Sequence, residues 1–272
     1  MLTRVTPNEL FNMSVASIDI EWPEEGYFNN SKEEDEQLLL LACNKVDRVL
    51  DIIRVMYCRM DNPLMNPGLP GLTPSGYSAV AIVRPDDSKR YRIIGTRLYG
   101  LTLVNGLGLE LDNYEIDSIF KNSSLLDIAL NCSNKYVPLL CKSILKRLSE
   151  AMYIPLIDSK FTYLMTTLEI IASPKYINFK KVKSKITPLI ANNKQSYHQL
   201  SEELRVLSEE IRTEIVHNGK SLVEIQKDNY KKILLNLQSI IVKCAIAMSQ
   251  SGCESIENIA EYREKRKKEL GI

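Results

Sequence analysis

Apolar residues three and four positions apart dominate the back of the chain, and alternation dominates parts of the front. Leu38, Leu41, Val46, Val49, Leu50, Ile53 and Met56 follow an acidic start at Glu33, Glu34 and Asp35. Negative charge where a helix begins, followed by a 3.6-residue period, predicts a long helix that stops near Asp61, Asn62 and Pro63. Residues 15–22 alternate enough to predict a strand. Residues 77–84 and 90–95 alternate and are rich in β-branched side chains, and the Pro85, Asp86 and Asp87 between them predict a hairpin. A further strand is expected over 101–111. Gly106 and Gly108 there read as a turn or bulge, since no third glycine and no helical pattern follow them. Pro63, Pro67, Gly68, Pro70, Gly71, Pro74 and Gly76 forbid regular structure over 62–76, so that long loop reads as mobile or functional.

From about Tyr114 the period turns helical and stays so. Apolar stripes run through 123–132, 135–153, 159–172, 197–217 and 227–248, and stripes of this kind bury one another in an antiparallel bundle. Lys180, Lys181, Lys183 and Lys185 are expected on a connection between helices, and 263–268 as a charged, frayed tail. The expected fold class is α+β: a mixed α/β region with antiparallel strands over 1–113, then an all-α antiparallel helical bundle over 114–272.

Composition adds limits. A chain of 272 residues is one large or two modest domains, and 44% apolar with 25% charged residues is an ordinary globular balance. The net charge of +1 hides an asymmetry: residues 1–120 hold 11 basic against 18 acidic side chains, and 121–272 hold 24 against 16. An acidic front and a basic back suggest different partners for the two regions. The six cysteines form no C-x-x-C pair and no zinc-like grouping with the two histidines, so they read as reduced, buried thiols. The start of the chain has no apolar core of a signal peptide, and the longest apolar run, Leu38 to Cys43, is too short to span a bilayer. A soluble cytoplasmic protein with no membrane partner, no metal and no cofactor is expected.

The candidate chemistry lies at one helix end. Arg212 is followed by four residues and then His217, just before the Asn218 and Gly219 stop signal. An arginine fork binds phosphate, and an imidazole moves a proton near neutral pH, a pairing suited to a phosphodiester. Five residues on a regular helix is an offset of about 140°, so joint use requires the last turn to unwind or a second copy to complete the site. On spacing alone, Arg212 reads as a surface charge and His217 as a capping residue. His198, in the first turn of its helix, reads as a surface residue.

The wider neighbourhood resembles the HEPN superfamily (higher eukaryotes and prokaryotes nucleotide-binding), in its Apea-like branch. Three stretches carry the resemblance: 161–172 with its Leu168 and Glu169 pair, 197–219 leading to Arg212, Ile215, Val216, His217 and Gly219, and the apolar helix 227–248. Together they span roughly 135–250, about one domain. The resemblance implies a metal-independent endoribonuclease site, composite across a homodimer. In it Arg212 holds the scissile phosphate, His217 does acid/base work, and Glu169 orients Arg212. The RNA 2′-hydroxyl would attack its own phosphate and leave a cyclic phosphate. Thr213 stands where active members often carry Asn, Asp or His, and Asn218 follows the histidine as a supporting residue. The basic runs at Lys180, Lys181, Lys183 and Lys185 and at 263–268 are candidate contacts for RNA phosphates. The resemblance further implies an antiviral-defence or toxin effector. The front region would then meet a viral or regulatory protein, with the 62–76 loop as contact surface. The competing reading is a non-catalytic RNA- or nucleotide-binding and dimerisation module.

Overall fold

The computed structural model describes residues 16–21, 32–62, 68–72, 77–83, 91–97 and 123–272, and its packing divides into two units. The first holds residues 1–50 and 67–106, the second 51–66 and 107–272. The described residues are mostly helical, with one two-stranded antiparallel sheet.

Helix α1 (Lys32–Tyr57) opens on Glu33, Glu34 and Asp35, whose carboxylates complement the unpaired amides of its first turn. In the first unit, strands β1 (Tyr77–Val83) and β2 (Tyr91–Arg97) pair in the register Tyr77↔Arg97 to Val83↔Tyr91, the hairpin that alternation predicts. Leu38 and Leu39 of α1 share a small core with Ile94 of β2, and Val80, Ile20 and Cys43 pack against it. Of the strand expected over 15–22, residues 16–21 are described. Residues 16–21 enter no ladder, and alternation makes a strand only where another strand supplies the hydrogen bonds. The 84–90 turn, the expected strand over 101–111 with Gly106 and Gly108, and most of the 62–76 loop lie outside the described residues.

The second unit is a helical bundle. Its members are α2 (Ser123–Leu130), α3 (Tyr136–Tyr153), α4 (Ile157–Ala172), α5 (Phe179–Ile190), α6 (Lys194–Arg205), a π-helical stretch (Val206–Arg212), α7 (Thr213–Asn218), α8 (Leu222–Gln226), a 3₁₀ turn (Lys227–Asn229), α9 (Tyr230–Gln250) and α10 (Ile256–Glu269). Short connections make α3, α4 and α5 successive neighbours, and α9 packs against all three. Ile144, Leu148, Phe161, Leu164, Leu168, Ile186, Leu237 and Ile241 are sealed from solvent at their centre. The 222–250 stretch is apolar and long enough to cross a bilayer by composition. Here Leu234, Leu237, Ile241, Cys244, Ala245 and Met248 face the core of the bundle.

Two charged stretches depart from the expected loops. Lys180, Lys181, Lys183 and Lys185 lie on α5, a helix capped by Asn178, whose Oδ1 accepts the Lys181 amide at 3.0 Å. Val182, Ile186 and Leu189 bury the face that the lysine run and Pro188 obscure in the sequence. Pro188 falls in the last turn, where it removes one amide from the ladder and only two helical residues follow it. The 263–268 stretch is not a frayed tail but part of α10, anchored by Ile259 and by Arg263. Arg263 is only 5% exposed, and its Nη2 and Nη1 donate to the carbonyls of Ile171 (2.8 Å) and Ala172 (3.3 Å) at the end of α4. A buried cation thus satisfies the open carbonyls of a helix C-terminus. Burial pulls its pKa down, but from so high a starting value that it stays charged. Lys160 serves the end of α3 in the same way, its Nζ 3.5 Å from the Met152 carbonyl.

The thiols are less uniform than expected. Cys58, Cys141 and Cys244 are buried, with pKa values pushed up to about 12 by desolvation, while Cys43 and Cys253 are half-buried and Cys132 is exposed. The end of α1 docks through Gln238 of α9, whose Nε2 donates to the Cys58 carbonyl (2.8 Å) and whose Oε1 accepts the Met60 amide (2.9 Å). Gln238→Leu leaves both buried backbone groups unpaired and is expected to cost about 2 kcal/mol. The check is the urea-unfolding midpoint.

Candidate functional site

The helix carrying Arg212 and His217 does not run as a plain α-helix. Between α6 and α7 the chain widens into the π-helical Val206–Arg212, where hydrogen bonds reach one residue further than in an α-helix. Thr213 marks its end, with Oγ1 donating to the Ser208 carbonyl five residues back at 3.3 Å. Arg205 braces the wide turn. It pairs with Glu202 at 2.7 Å, with Glu209 four residues on at 3.5 Å, and with Glu210 five residues on at 2.8 Å. The five-residue pair spans one π turn, as a four-residue pair spans an α turn. Glu202 and Glu210 hold the Arg205 pKa above its usual value, and Arg205 in return holds Glu202 below its own.

Leu204, Leu207 and Ile211 bury the inner face of this helix, and the next residue, Arg212, reaches across to α4. Its Nη1 lies 3.0 Å from Glu169 Oε1, with side-chain exposures of 31% and 22%. Glu169 stands in the last turn of α4, whose opposite face carries Leu164, Leu168 and Ile171 into the core. The expected Glu169–Arg212 pair is formed. Arg212 Nε is buried without a hydrogen-bond partner among the described residues, so Glu169 takes only part of the guanidinium's donor capacity.

His217 sits in the last turn of α7 and is exposed. The helix stays wound through Val216 and His217 and closes only at Gly219, whose left-handed φ of 67° is a conformation that suits glycine. The unwinding that would bring Arg212 and His217 together in one chain therefore does not occur, and the offset of about 140° stands. Glu214 secures the helix end. Its carbonyl accepts the amides of Gly219 and Lys220, its Oε1 accepts from Asn218 Nδ2 (2.8 Å), and its Oε2 pairs with Lys220 (2.6 Å). Beyond the glycine, the Leu222 amide donates to Asp158 Oδ1 at 2.7 Å, which pins the start of α8 to the start of α4. His217 thus projects from an end fixed on both sides.

The remaining sequence candidates separate. Thr213 commits its hydroxyl proton to the Ser208 carbonyl, and Asn218 commits its amide to Glu214. Lys180, Lys181, Lys183 and Lys185 occupy α5, and no hydrogen bond or ion pair among the described residues joins them to Arg212, Glu169 or His217. His198 is exposed on α6, edge-on to Tyr197 at 5.7 Å between ring centres. Sequence reasoning missed the π turn and the Glu214 clasp. The one signal for the first was Arg205 with carboxylates at both four and five residues on. No protein-family model, curated protein or solved structure matches this chain.

Two outcomes follow for stability. A double-mutant cycle over Glu169→Gln and Arg212→Ala should return a coupling of about 0.5–1 kcal/mol, since both partners are partly solvated. A coupling of zero would show that Glu169 does not hold Arg212. The Glu214 carboxyl has a folded pKa below its ordinary value, owing first to Lys220 and then to Asn218. Its contribution is therefore complete above that ordinary value of 4.5 and is lost as pH falls through the lowered one. Glu214→Gln should flatten the acid limb of a Tm-against-pH profile and leave the neutral region nearly unchanged.

Proposed function

We propose that this chain is a HEPN-type endoribonuclease acting as a homodimer, with Arg212 and His217 as its catalytic pair. One observation carries the reading: Glu169 fixes an arginine that is still a third exposed, while the histidine is held at a rigid helix end on a different face. A second copy is what brings an imidazole to that guanidinium. In the proposed reaction the RNA 2′-oxygen forms a bond to the adjacent phosphorus and the 5′-oxygen bond breaks, giving a 2′,3′-cyclic phosphate and a 5′-hydroxyl. Arg212 neutralises the phosphate as negative charge builds on its oxygens, and the imidazole of His217 moves the proton that departs from the 2′-hydroxyl or arrives at the leaving oxygen. No step calls for a metal. Within this reading the helical fold is HEPN-like, and the protein is a cytoplasmic antiviral or toxin effector whose first unit receives a viral or regulatory protein.

A second reading is favoured by Thr213, whose hydroxyl is spent within the helix rather than offered beside Arg212. It makes the same surface a non-catalytic RNA- or nucleotide-binding and dimerisation module.

RNA cleavage in EDTA separates the two. Wild type is expected to cut and to leave cyclic-phosphate ends, and Arg212→Ala and His217→Ala are each expected to lose at least a hundredfold in rate. Mixing the two inactive variants should restore part of the activity, because one composite site per mixed dimer regains both groups. Variants that cut as wild type does would overturn the catalytic reading, and saturable RNA binding without cleavage by wild type would establish the second.

A further inference from the structure

Helix α5 has an unusual charge arrangement. Lys180, Lys181, Lys183 and Lys185 fall in its first two turns, and the helix contains no acidic residue. Cations at that end oppose the helix dipole, which favours negative charge near the first amides. None of the four forms an ion pair among the described residues, whereas Arg205 on the neighbouring α6 is held by three carboxylates.

The lysines divide between two flanks. Val182, Ile186 and Leu189 face the core, which places Lys181 and Lys185 together on one side and Lys183 on the other. Lys183 lies toward Glu202 of α6, whose carboxyl it helps to hold ionised. Lys181 and Lys185 lie toward α10, which packs against α5. There Lys185 is half-buried, and burial first, then Arg263, Lys181 and Lys267, disfavour its charge, with no offsetting carboxylate among the described residues. On α10, Lys267 pairs with Glu264 at 2.6 Å. Arg266 pairs with Glu269 at 2.7 Å and donates to the Ala191 carbonyl at 2.9 Å. At the α5–α10 contact, Lys181 and Lys185 thus have no ion-pair partner among the described residues, and the buried Arg263 and Lys267 flank Lys185.

Repulsion of this kind is relieved by an anion lying between the cations. Lysines one helical turn apart, bordered by Arg263 and Lys267 of α10, offer a succession of charges rather than one pocket, which fits a chain of phosphates better than a single ion. Each of the two helices carries a single aromatic ring, Phe179 on α5 and Tyr262 on α10, both half-buried, so the contact rests on backbone charge rather than on stacked bases. We infer that the α5–α10 face binds the phosphate backbone of RNA, with Lys181 and Lys185 as the principal contacts and Lys267 beside them. The inference rests on the RNA reading above and assigns substrate holding to a surface separate from Arg212 and His217.

The test is binding of a labelled single-stranded RNA by fluorescence anisotropy across a salt series, in a His217→Ala background so that no RNA is cut. Lys181→Ala/Lys185→Ala should weaken binding roughly tenfold and lower the slope of log K against log salt by about 1.4, or 0.7 for each lost contact. Lys231→Ala/Lys232→Ala, which removes the same charge from exposed positions on α9, should change neither. An unchanged slope in the α5 variant, an equal loss in the α9 control, or no RNA binding by the parent would each overturn the inference. Binding that depends on Lys181 and Lys185 in a protein whose wild type never cuts RNA upholds this surface and defeats only the nuclease reading. With Tm values matched, a loss of binding is not a loss of fold.

Discussion

A helix that remains wound from Lys194 to Asn218 sets the angle between the two groups on which the proposed chemistry depends. Each residue of an α-helix advances about 100°, so an arginine and a histidine five apart cannot share a face unless the helix breaks. It does not break. The π stretch adjusts how Arg212 leaves the core face and lets it meet Glu169 on α4, and the left-handed glycine after Asn218 ends the helix only once His217 has been placed. Every bond described around this segment, from Arg205 and its carboxylates to the Glu214 clasp, maintains that winding. The separation is a property of the folded chain, and it is the reason the proposed chemistry needs a second copy.

The bundle that supports this helix relies on ends as much as on its core. The apolar stripes supply the burial, but each helix leaves open carbonyls at its C-terminus that must find donors. In the larger unit several of those donors are side chains from elsewhere in the sequence. Arg263 closes α4 and Lys160 closes α3, while at the N-terminal side Asp158 receives the first amide of α8. Through Arg263 the last turn of α4, which carries Glu169, is tied to α10. The charge pattern divides along the same lines. Paired charges organise helix ends and the π turn, and the four lysines of α5 form no ion pair among the described residues.

Much of this was legible in the chain. The long acidic-started helix, the hairpin and the five apolar-periodic segments of the back half appear close to where their spacing puts them, because periodicity is a local property and burial follows it. The Glu169–Arg212 pair was also anticipated, though from a resemblance and not from spacing. What escaped were segments whose local signals mislead. A lysine run ending at Pro188 looks like a connection until Val182, Ile186 and Leu189 find a core to enter. A tail with five basic residues looks frayed until Arg263 finds two carbonyls. Alternation over 15–22 promises a strand, but a strand needs a partner that the pattern cannot name.

The sequence by itself determined the helical periods, the glycine stop after His217, the uneven distribution of charge and the presence of one arginine and one histidine five residues apart at a helix end. Tertiary structure alone decided that the helix widens into a π turn before Arg212, that a glutamate 43 positions earlier meets that arginine, and that the basic run forms a helix lying against α10. The division has a physical cause. Periodicity, caps and turn residues act over a few positions, whereas ion pairs and capping cations join groups far apart in the chain, whose meeting depends on how all the intervening helices pack.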